Sequence, residues 1–443
     1  MQNQGIRDAR SLGTPKLLVL GLQHMFAMFG ATVLVPALTG LSVSATLLFA
    51  GLGTLFFHFV TKGKVPAFLG SSFAYLAGYA AIAPNGEAAL LPYACVGVAA
   101  SGLLYLILSA LVRGFGANRV MRFFPPVVTG PIIICIGMTL ANSAINNCTG
   151  SWDIALVAII TVVVFNIWGK GMLRIIPILL GVLVSYVYAA VTGRVDFSGV
   201  ASAAWIGLPV KMENTVFSLI GNCDANLLVT AIIAIMPIAF ATMIEHIGDI
   251  CAISSTVGAN FIADPGLHRT LLGDGLATSI ASLFGAPANT TYGENTGVLA
   301  LTRVYDPLVI RLAAVYAIIA SFCPKFAALV SAMPTGTIGG VSLILYGMIS
   351  AIGVRNLVEN RVDLAKSRNV IVVSLIISLA LGITFSTAGA ITFHVGEFTL
   401  NFSGLAVAAI VGIVVNAILP GKDYNFQNDY EYGKTTEDHG QML

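Results

Sequence analysis

The chain has 443 residues, of which 57% are hydrophobic and only 9% are Asp, Glu, Lys or Arg. A surface that faces water needs far more charge than this, so the composition excludes a soluble globular protein and indicates lipid as the main solvent. The net charge of +2 gives no reason to expect a nucleic-acid partner, and the six cysteines have no metal-ligand spacing, so neither a metal site nor a cofactor is expected.

Long apolar runs without charged residues follow one another along the chain. A helix of about 20 apolar residues crosses the hydrocarbon core of a bilayer, so the uncharged stretch 17–61 holds two spans. The pattern predicts an all-α integral membrane protein with fourteen transmembrane segments. We number these spans 1 to 14, at residues 17–38, 42–60, 65–83, 91–112, 124–145, 153–168, 172–192, 226–248, 270–285, 288–302, 307–332, 335–353, 369–390 and 402–420.

The charged residues of the loops predict the topology. With the N-terminal segment 1–16 in the cytoplasm, every even loop carries the positive charge that cytoplasmic loops favour. The outside loops carry mainly Glu87, Asp153 and Glu397, whereas the inside loops carry Lys62, Lys64, Arg113, Arg119, Arg122, Lys170, Arg174, His268, Arg269, Arg303, Arg355, Arg361, Lys366, Arg368 and Lys422. We therefore expect both the segment 1–16 and the tail 421–443 to be cytoplasmic.

Three unusual features of the first seven spans return in the second seven. Spans 3 and 10 are short, open with a proline and are interrupted by small polar residues, which predicts broken helices. Because each repeat has an odd number of spans, the second repeat is inverted in the membrane relative to the first. In transporters with inverted repeats, the N-termini of broken helices point at a solute site near the middle of the bilayer. The matched features are Gln23-His24 with Glu245-His246, Pro66 to Phe73 with Pro287 to Glu294, and Pro125 and Gly130 with Pro334 and Gly339.

Very few carboxylates lie inside the predicted spans. A carboxylate at the centre of a bilayer costs roughly 3 kcal/mol, so such a residue faces a polar interior and indicates a transport pathway. Glu245 and Asp249 are four residues apart and therefore project from one face of span 8. Glu294 lies in span 10, and Asp274 lies near the cytoplasmic end of span 9, where we expect a structural role. The structural alternative for each is a carboxylate that caps a broken helix or pairs with a polar neighbour.

Two histidines and one aromatic residue are further candidates. His24 and His246 each follow a polar residue within a span; either could carry a proton, but a packing role is the more common one. Phe73 lies beside the break in span 3, where its ring could either pack internally or cover a planar solute.

Specific motifs occur in three runs, QHMFAMFGATVLVP at 23–36, LGSSF at 69–73 and TYGEN at 291–295, and the last continues as ENTG and ends in Thr302-Arg303. They resemble motifs of the nucleobase/ascorbate transporter family, most closely those of its bacterial uracil permeases. The resemblance covers nearly the whole chain. It implies a homodimer in the bacterial cytoplasmic membrane, with core domains at 17–112 and 226–332 and gate domains at 124–192 and 335–420.

The resemblance also implies a substrate site. The family's binding residues fall on Phe73, Glu245, Gly293 and Glu294, with Tyr292 and Tyr346 near them. Uracil is planar and neutral, with two N–H donors and two carbonyl acceptors. Two carboxylates could accept its N–H groups while the backbone amides of Phe73 and Gly293 donate to its carbonyls, and a solute lacking these groups would leave buried partners unpaired. The candidates for proton coupling or gating are Asp249, Ser342 and His24.

One departure from the family pattern concerns the substrate. The related uracil permeases have a second histidine where this chain has Asp249, and the purine transporters of the family have Asp there, whereas Glu294 favours uracil over purines. Asp249 either couples the proton or hydrogen-bonds Ser342 or Tyr346 to hold core against gate. The expected function is uracil import by proton symport, with xanthine or urate symport as the alternative.

Two other classes of function are disfavoured. A channel needs a continuous polar lining, whereas this chain has two isolated breaks. An enzyme needs a nucleophile and base, a metal cluster or a phosphate loop, and none of these occurs in the sequence.

Overall fold

The computed structural model describes residues 5–395, 398–422 and 424, and the side chains of residues 175, 294 and 394–400 lie outside that description. Four sequence predictions therefore fall partly or wholly outside the described residues: the segment 1–16 at residues 1–4, Glu397, the side chain of Glu294, and the tail 421–443 except residues 421, 422 and 424.

The first half of the chain is helical apart from one short strand, β1 (Leu69–Ser71), which is followed by a 3-10 helix at Phe73–Tyr75. Its helices are α1 (Thr14–Thr39), α2 (Val43–Val60), α3 (Leu76–Ile82), α4 (Leu91–Phe115), α5 (Ala117–Met121), α6 (Pro126–Cys148), α7 (Trp152–Trp168), α8 (Met172–Ile175), α9 (Pro177–Val191) and α10 (Ser198–Ser202).

The second half contains a matching short strand, β2 (Asn289–Thr291), and two longer strands, β3 (Ala390–Val395) and β4 (Phe398–Ser403). Its helices are α11 (Ala225–Ile235), α12 (Ala239–Val257), α13 (Leu267–Leu283), α14 (Gly293–Thr302), α15 (Pro307–Ser321), α16 (Pro324–Ser331), α17 (Thr335–Glu359), α18 (Ser367–Thr384) and α19 (Gly404–Ile418).

Within the described residues, seven helical segments are long and apolar enough to cross a membrane: α1, α2, α4, α6, α11 joined to α12, α17 and α18. Four shorter apolar helices are α7, α9, α19 and the segment Phe73–Ile82. Each predicted span overlaps a helix, and the chain is a multi-pass membrane protein. The count of fourteen membrane crossings stays a prediction.

Span 11 differs from its expected form. Instead of one helix over 307–332, α15 and α16 meet at an angle of 88°. The reason is Pro324, whose ring excludes the preceding residue from the helical region and which lacks the N–H that would continue the helix. Cys323 accordingly has φ −110° and ψ 90°.

The expectation of an all-α fold is wrong for the connection between spans 13 and 14. Helix α18 ends at Thr384, and β3 and β4 then form an antiparallel pair in which Ala390 faces Ser403 and Phe393 faces Leu400. β-Branched and aromatic residues favour extended backbone, and Ile391, Thr392 and Phe393 are of this type.

The packing of the helices follows the inverted repeat. Helices α2 and α15 (spans 2 and 11) pack together, and so do α4 and α13 (spans 4 and 9). When seven is added to both span numbers of the first pair, and fourteen is subtracted from any result above fourteen, spans 2 and 11 become spans 9 and 4. These are the spans of the second pair. The same operation exchanges the contact of α7 with α9 for that of α18 with α19, and it returns the pair α6 and α17 to itself. A two-fold axis requires this pattern.

Glycines bring α6 and α17 into close antiparallel contact. A Cβ on Gly137 would lie 2.2 Å from the carbonyl oxygen of Tyr346, and a Cβ on Gly353 would lie 2.6 Å from the carbonyl oxygen of Gly130. Gly339 lies equally close to Cys148 at the other end of the pair. Small residues are the usual means of helix packing in membranes, where burial of apolar surface provides little driving force.

Candidate functional site

The two broken spans meet at the centre of the molecule through β1 and β2, which we call the strand crossing. They pair antiparallel, with Leu69 facing Thr291 and Ser71 facing Asn289. Pairing satisfies backbone groups that could not be left exposed at membrane depth. Thr54 of α2 binds the backbone of Leu69, and Thr278 of α13 binds the backbone of Asn289, so both strands are held in equivalent ways.

A helix begins directly after each strand of the crossing. The 3-10 helix begins at Phe73 and continues into α3, and α14 begins at Gly293. The first amides of a helix have no carbonyl partner within it, and the helix dipole places partial positive charge there. The crossing therefore brings two helix N-termini to one region, as spans 3 and 10 predicted.

Tyr292 stabilises the strand crossing through hydrogen bonds to Ser71. Its Oη donates to the carbonyl oxygen of Ser71 at 2.8 Å and lies 3.1 Å from Ser71 Oγ. Its ring lies against Gly70, where a Cβ would come within 2.5 Å of ring carbons. Only glycine fits at this position. A contact of Tyr292 with substrate stays a prediction.

Helix α12 presents Glu245 and Asp249 beside the start of α14. Oδ2 of Asp249 accepts a hydrogen bond from Thr291 Oγ1 at 3.0 Å. A Cβ on Gly293 would lie 3.6 Å from Asp249 Oδ1. Apart from the chain neighbours of Gly293 and the backbone of its own helix, no other atom of the described residues lies within 4 Å of that Cβ position. Gly293 therefore faces Asp249, and a methyl group added there would be in van der Waals contact with the Asp249 carboxylate.

A buried pair that the sequence did not predict lies behind Asp249. His246 Nδ1 is 3.3 Å from Thr291 Oγ1 and 3.4 Å from Asp274 Oδ2, and both side chains of the His246–Asp274 pair are fully buried. The aromatic rings of Phe57 and Tyr105 meet His246 edge-on. Asp274, expected to be structural near the end of its span, thus joins the same polar group as Asp249.

The signal for this pair is local to α13. Gly273 and Gly275 flank Asp274, and a Cβ on either would lie within 2.9 Å of Phe57 or Tyr105. A carboxylate between two glycines inside a span can approach neighbouring helices closely. Which residue it approaches depends on the packing of α12 against α13, which the sequence pattern does not contain.

His24 lies on the opposite side of α14 and has a different environment. Asn295 Nδ2 is 3.2 Å from both His24 Nδ1 and the His24 carbonyl oxygen. Because a carbonyl oxygen only accepts, the asparagine atom there is a donor, so Nδ1 accepts and the ring proton resides on Nε2. His24 therefore joins α1 to α14.

Phe73 and Tyr346 connect the crossing to α17. Their rings pack edge to face with centroids 5.8 Å apart. The hydroxyls of Tyr346 and Ser342 are both buried on α17. The alternative role of Asp249, a hydrogen bond to Ser342 or Tyr346, stays a prediction, and Asp249 is bonded to Thr291.

The predicted site residues therefore separate into two groups. Phe73 contacts Tyr346, which lies one turn after Ser342 on α17, and Gly293 faces Asp249, which lies one turn after Glu245 on α12. Glu294 is the second residue of α14. The structure adds Thr291 and Asn295 to these candidates, and it brings Asp274, which was expected to be structural, next to His246.

Comparison with known proteins gives consistent matches over the whole chain. The Xan_ur_permease model, described as Permease family, matches residues 15–389. The uracil permease of Bacillus caldolyticus is 42% identical over 437 residues, which cover 96% of each chain. The uracil permease of Bacillus subtilis (strain 168) is 39% identical over 453 residues, 99% of this chain and 98% of that one. The transmembrane domain of a cyanobacterium bicarbonate transporter, BicA, superposes with a TM-score of 0.62 at 13% sequence identity. The superposition covers 94% of this chain and 100% of that domain, and it shows a shared fold alone.

Proposed function

This chain belongs to the Xan_ur_permease family of permeases, and from that premise we propose that it imports uracil across the bacterial cytoplasmic membrane together with protons. The observation that carries the proposal is the position of Gly293 at the start of α14, directly after the strand crossing, where it faces the carboxylate of Asp249. A small polar solute there meets helix amides on one side and carboxylates of α12 on the other.

The chemistry of this space suits uracil. The amides of Phe73 and Gly293 donate to the two carbonyl oxygens, and Glu245 and Glu294 accept from the two ring N–H groups. Hydrogen bonds to charged groups contribute about 1.5–3 kcal/mol each, so both carboxylates contribute to affinity. In this proposal the planar solute packs against the ring of Phe73, which Tyr346 contacts edge to face.

The polar chain Asp249, Thr291, His246 and Asp274 supports proton coupling. Its links are 3.0, 3.3 and 3.4 Å long. The last of these links is an ion-pair distance, and it places the fully buried Asp274 next to the imidazole of His246. In this proposal protons pass between Asp249 and the His246–Asp274 pair through Thr291.

Alternating access follows from the repeat. In this proposal the core domains 17–112 and 226–332 carry the solute and move against the gate domains 124–192 and 335–420, within a homodimer. The contacts that must change lie between α1 and α9 and between α12 and α19, which are exchanged by the two-fold axis. Both termini are cytoplasmic.

Xanthine or urate is a second candidate, favoured by Asp249 alone. Counterflow of labelled uracil in proteoliposomes, with unlabelled xanthine, urate and thymine as competitors, distinguishes uracil transport from xanthine or urate transport. Uracil import predicts counterflow that unlabelled uracil abolishes and that xanthine and urate leave unchanged. Strong competition by xanthine, with no counterflow of uracil, would reassign the substrate to a purine.

A further inference from the structure

A cavity separate from the strand crossing lies on the outer surface of the molecule. It has a volume of about 520 Å³, which is within the range of ligand sites, roughly 300–1,000 Å³. Almost all of its lining is apolar and comes from α4, α5, the connection between α5 and α6, α12 and α19. The lining residues include Leu104, Leu108, Phe240, Met243, Ile413 and Arg119. We call this cavity the α4–α12 groove.

The only basic residue that lines the groove within the described part of the chain is Arg119. It lies on α5, and Arg113 and Arg122 precede and follow that short helix; all three side chains are exposed. No described carboxylate forms an ion pair with any of them. The groove therefore combines a long apolar wall with unpaired positive charge at one end.

We infer that the α4–α12 groove binds one anionic phospholipid, with an acyl chain against α4 and α12 and the phosphate near Arg119. Basic pockets between transmembrane helices on the cytoplasmic side recruit anionic headgroups, and the arginine-bearing end of α4 is the end proposed to be cytoplasmic. A lipid there contacts α4 and α12 on one side and α5 and α19 on the other. The lipid would fill space between α12 and α19, whose contact changes in the proposed transport cycle.

The charge pattern distinguishes a lipid from a second copy of the chain. A symmetric partner would bring its own Arg113, Arg119 and Arg122 toward the same surface, and like charges that meet in an interface repel. A phosphate diester supplies the opposite charge together with the apolar chain that the groove fits.

The test uses the full chain in nonionic detergent, titrated with palmitoyl-oleoyl phosphatidylglycerol or phosphatidylcholine and measured by native mass spectrometry. We expect one phosphatidylglycerol to be retained in preference to phosphatidylcholine. Arg119→Gln should weaken phosphatidylglycerol retention about fivefold, the effect of one basic residue near an anionic headgroup. Arg174→Gln is the matched control: Arg174 lies on α8, away from the groove, so this substitution should leave phosphatidylglycerol retention unchanged.

A second variant tests the apolar part. Ile107 lines the groove and is 56% exposed, so Ile107→Trp should fold normally while filling the space and reducing retention of both lipids. Ile160→Trp on α7, at 58% exposure, controls for an added surface tryptophan. Equal retention of the two lipids, or equal effects of Arg119→Gln and Arg174→Gln, would overturn the inference. Loss of a dimer on Ile107→Trp would assign the groove to a second copy instead.

Discussion

The hydroxyl of Thr291 joins Asp249 to His246, so replacing Thr291 with valine is the sharpest perturbation of the proposed proton route. Valine keeps the β-branched shape that suits β2 and removes one hydroxyl. Thr291 Oγ1 donates to Asp249 at 3.0 Å and lies 3.3 Å from His246 Nδ1. We expect Thr291→Val to interrupt the route without breaking the strand crossing, whose pairing is made by backbone atoms.

The size of the effect follows from these contacts. A hydrogen bond to a charged group contributes about 1.5–3 kcal/mol, and about 1.4 kcal/mol is tenfold in rate. Uracil uptake driven by a pH gradient should therefore fall roughly 10- to 150-fold. Counterflow, which exchanges solute without net proton movement, should fall much less.

The assay compares both activities in proteoliposomes that contain equal amounts of protein. Thr291→Ser retains the hydroxyl and should behave like the parent. Thr290→Val removes a hydroxyl from the preceding residue of β2, for which the described residues show no hydrogen bond to Asp249 or His246, and should also match the parent. Parental gradient-driven uptake by Thr291→Val would refute the route, and an equal fall in both activities would show that the hydroxyl supports structure alone.

Three further predictions concern the site and the topology. Glu245→Ala should weaken uracil binding by roughly 10- to 150-fold through the loss of a charged acceptor, measured by calorimetry on protein that elutes normally; near-parental affinity would remove Glu245 from the site. In Gly293→Ala the added methyl meets Asp249 at 3.6 Å, an ordinary contact, and no other described atom within 4 Å outside its chain neighbours and helix backbone, so thermal stability should hold while uracil binding is lost. Gly297→Ala, whose added methyl meets no such described atom within 4 Å, is the control on α14; intact binding by Gly293→Ala would place the solute elsewhere. In a background that lacks the exposed Cys223, a cysteine at position 87 should react with an impermeant maleimide from outside and one at position 119 should not; the reverse pattern would invert the topology.

The sequence predicted those features of the fold that depend on local chemistry. Proline and glycine punctuation identified spans 3 and 10 as broken, and both contain a strand followed by a helix. The resemblance drawn from three motifs is confirmed by the family match over residues 15–389. The repeat features at Pro125 and Pro334 correspond to the residues that immediately precede α6 and α17.

The remaining features depend on which elements pack together. His246 and Asp274 lie on different helices, and their 3.4 Å approach requires α12 and α13 to meet in one register. His24 likewise finds Asn295 through the packing of α1 on α14. The β3–β4 pair was missed for another reason: residues 391–401 lie between the predicted spans 13 and 14 and were assigned to an outside loop.

The central claim, proton-coupled uracil transport through Asp249, is tested most directly by accumulation of labelled uracil in proteoliposomes under an imposed pH gradient. The parent should accumulate uracil when the gradient drives protons inward, with no requirement for sodium. Asp249→Asn should retain counterflow and lose accumulation, because an amide keeps the shape of the carboxyl and cannot titrate. Undiminished gradient-driven accumulation by Asp249→Asn, or accumulation by the parent that needs sodium at fixed pH, would contradict the account.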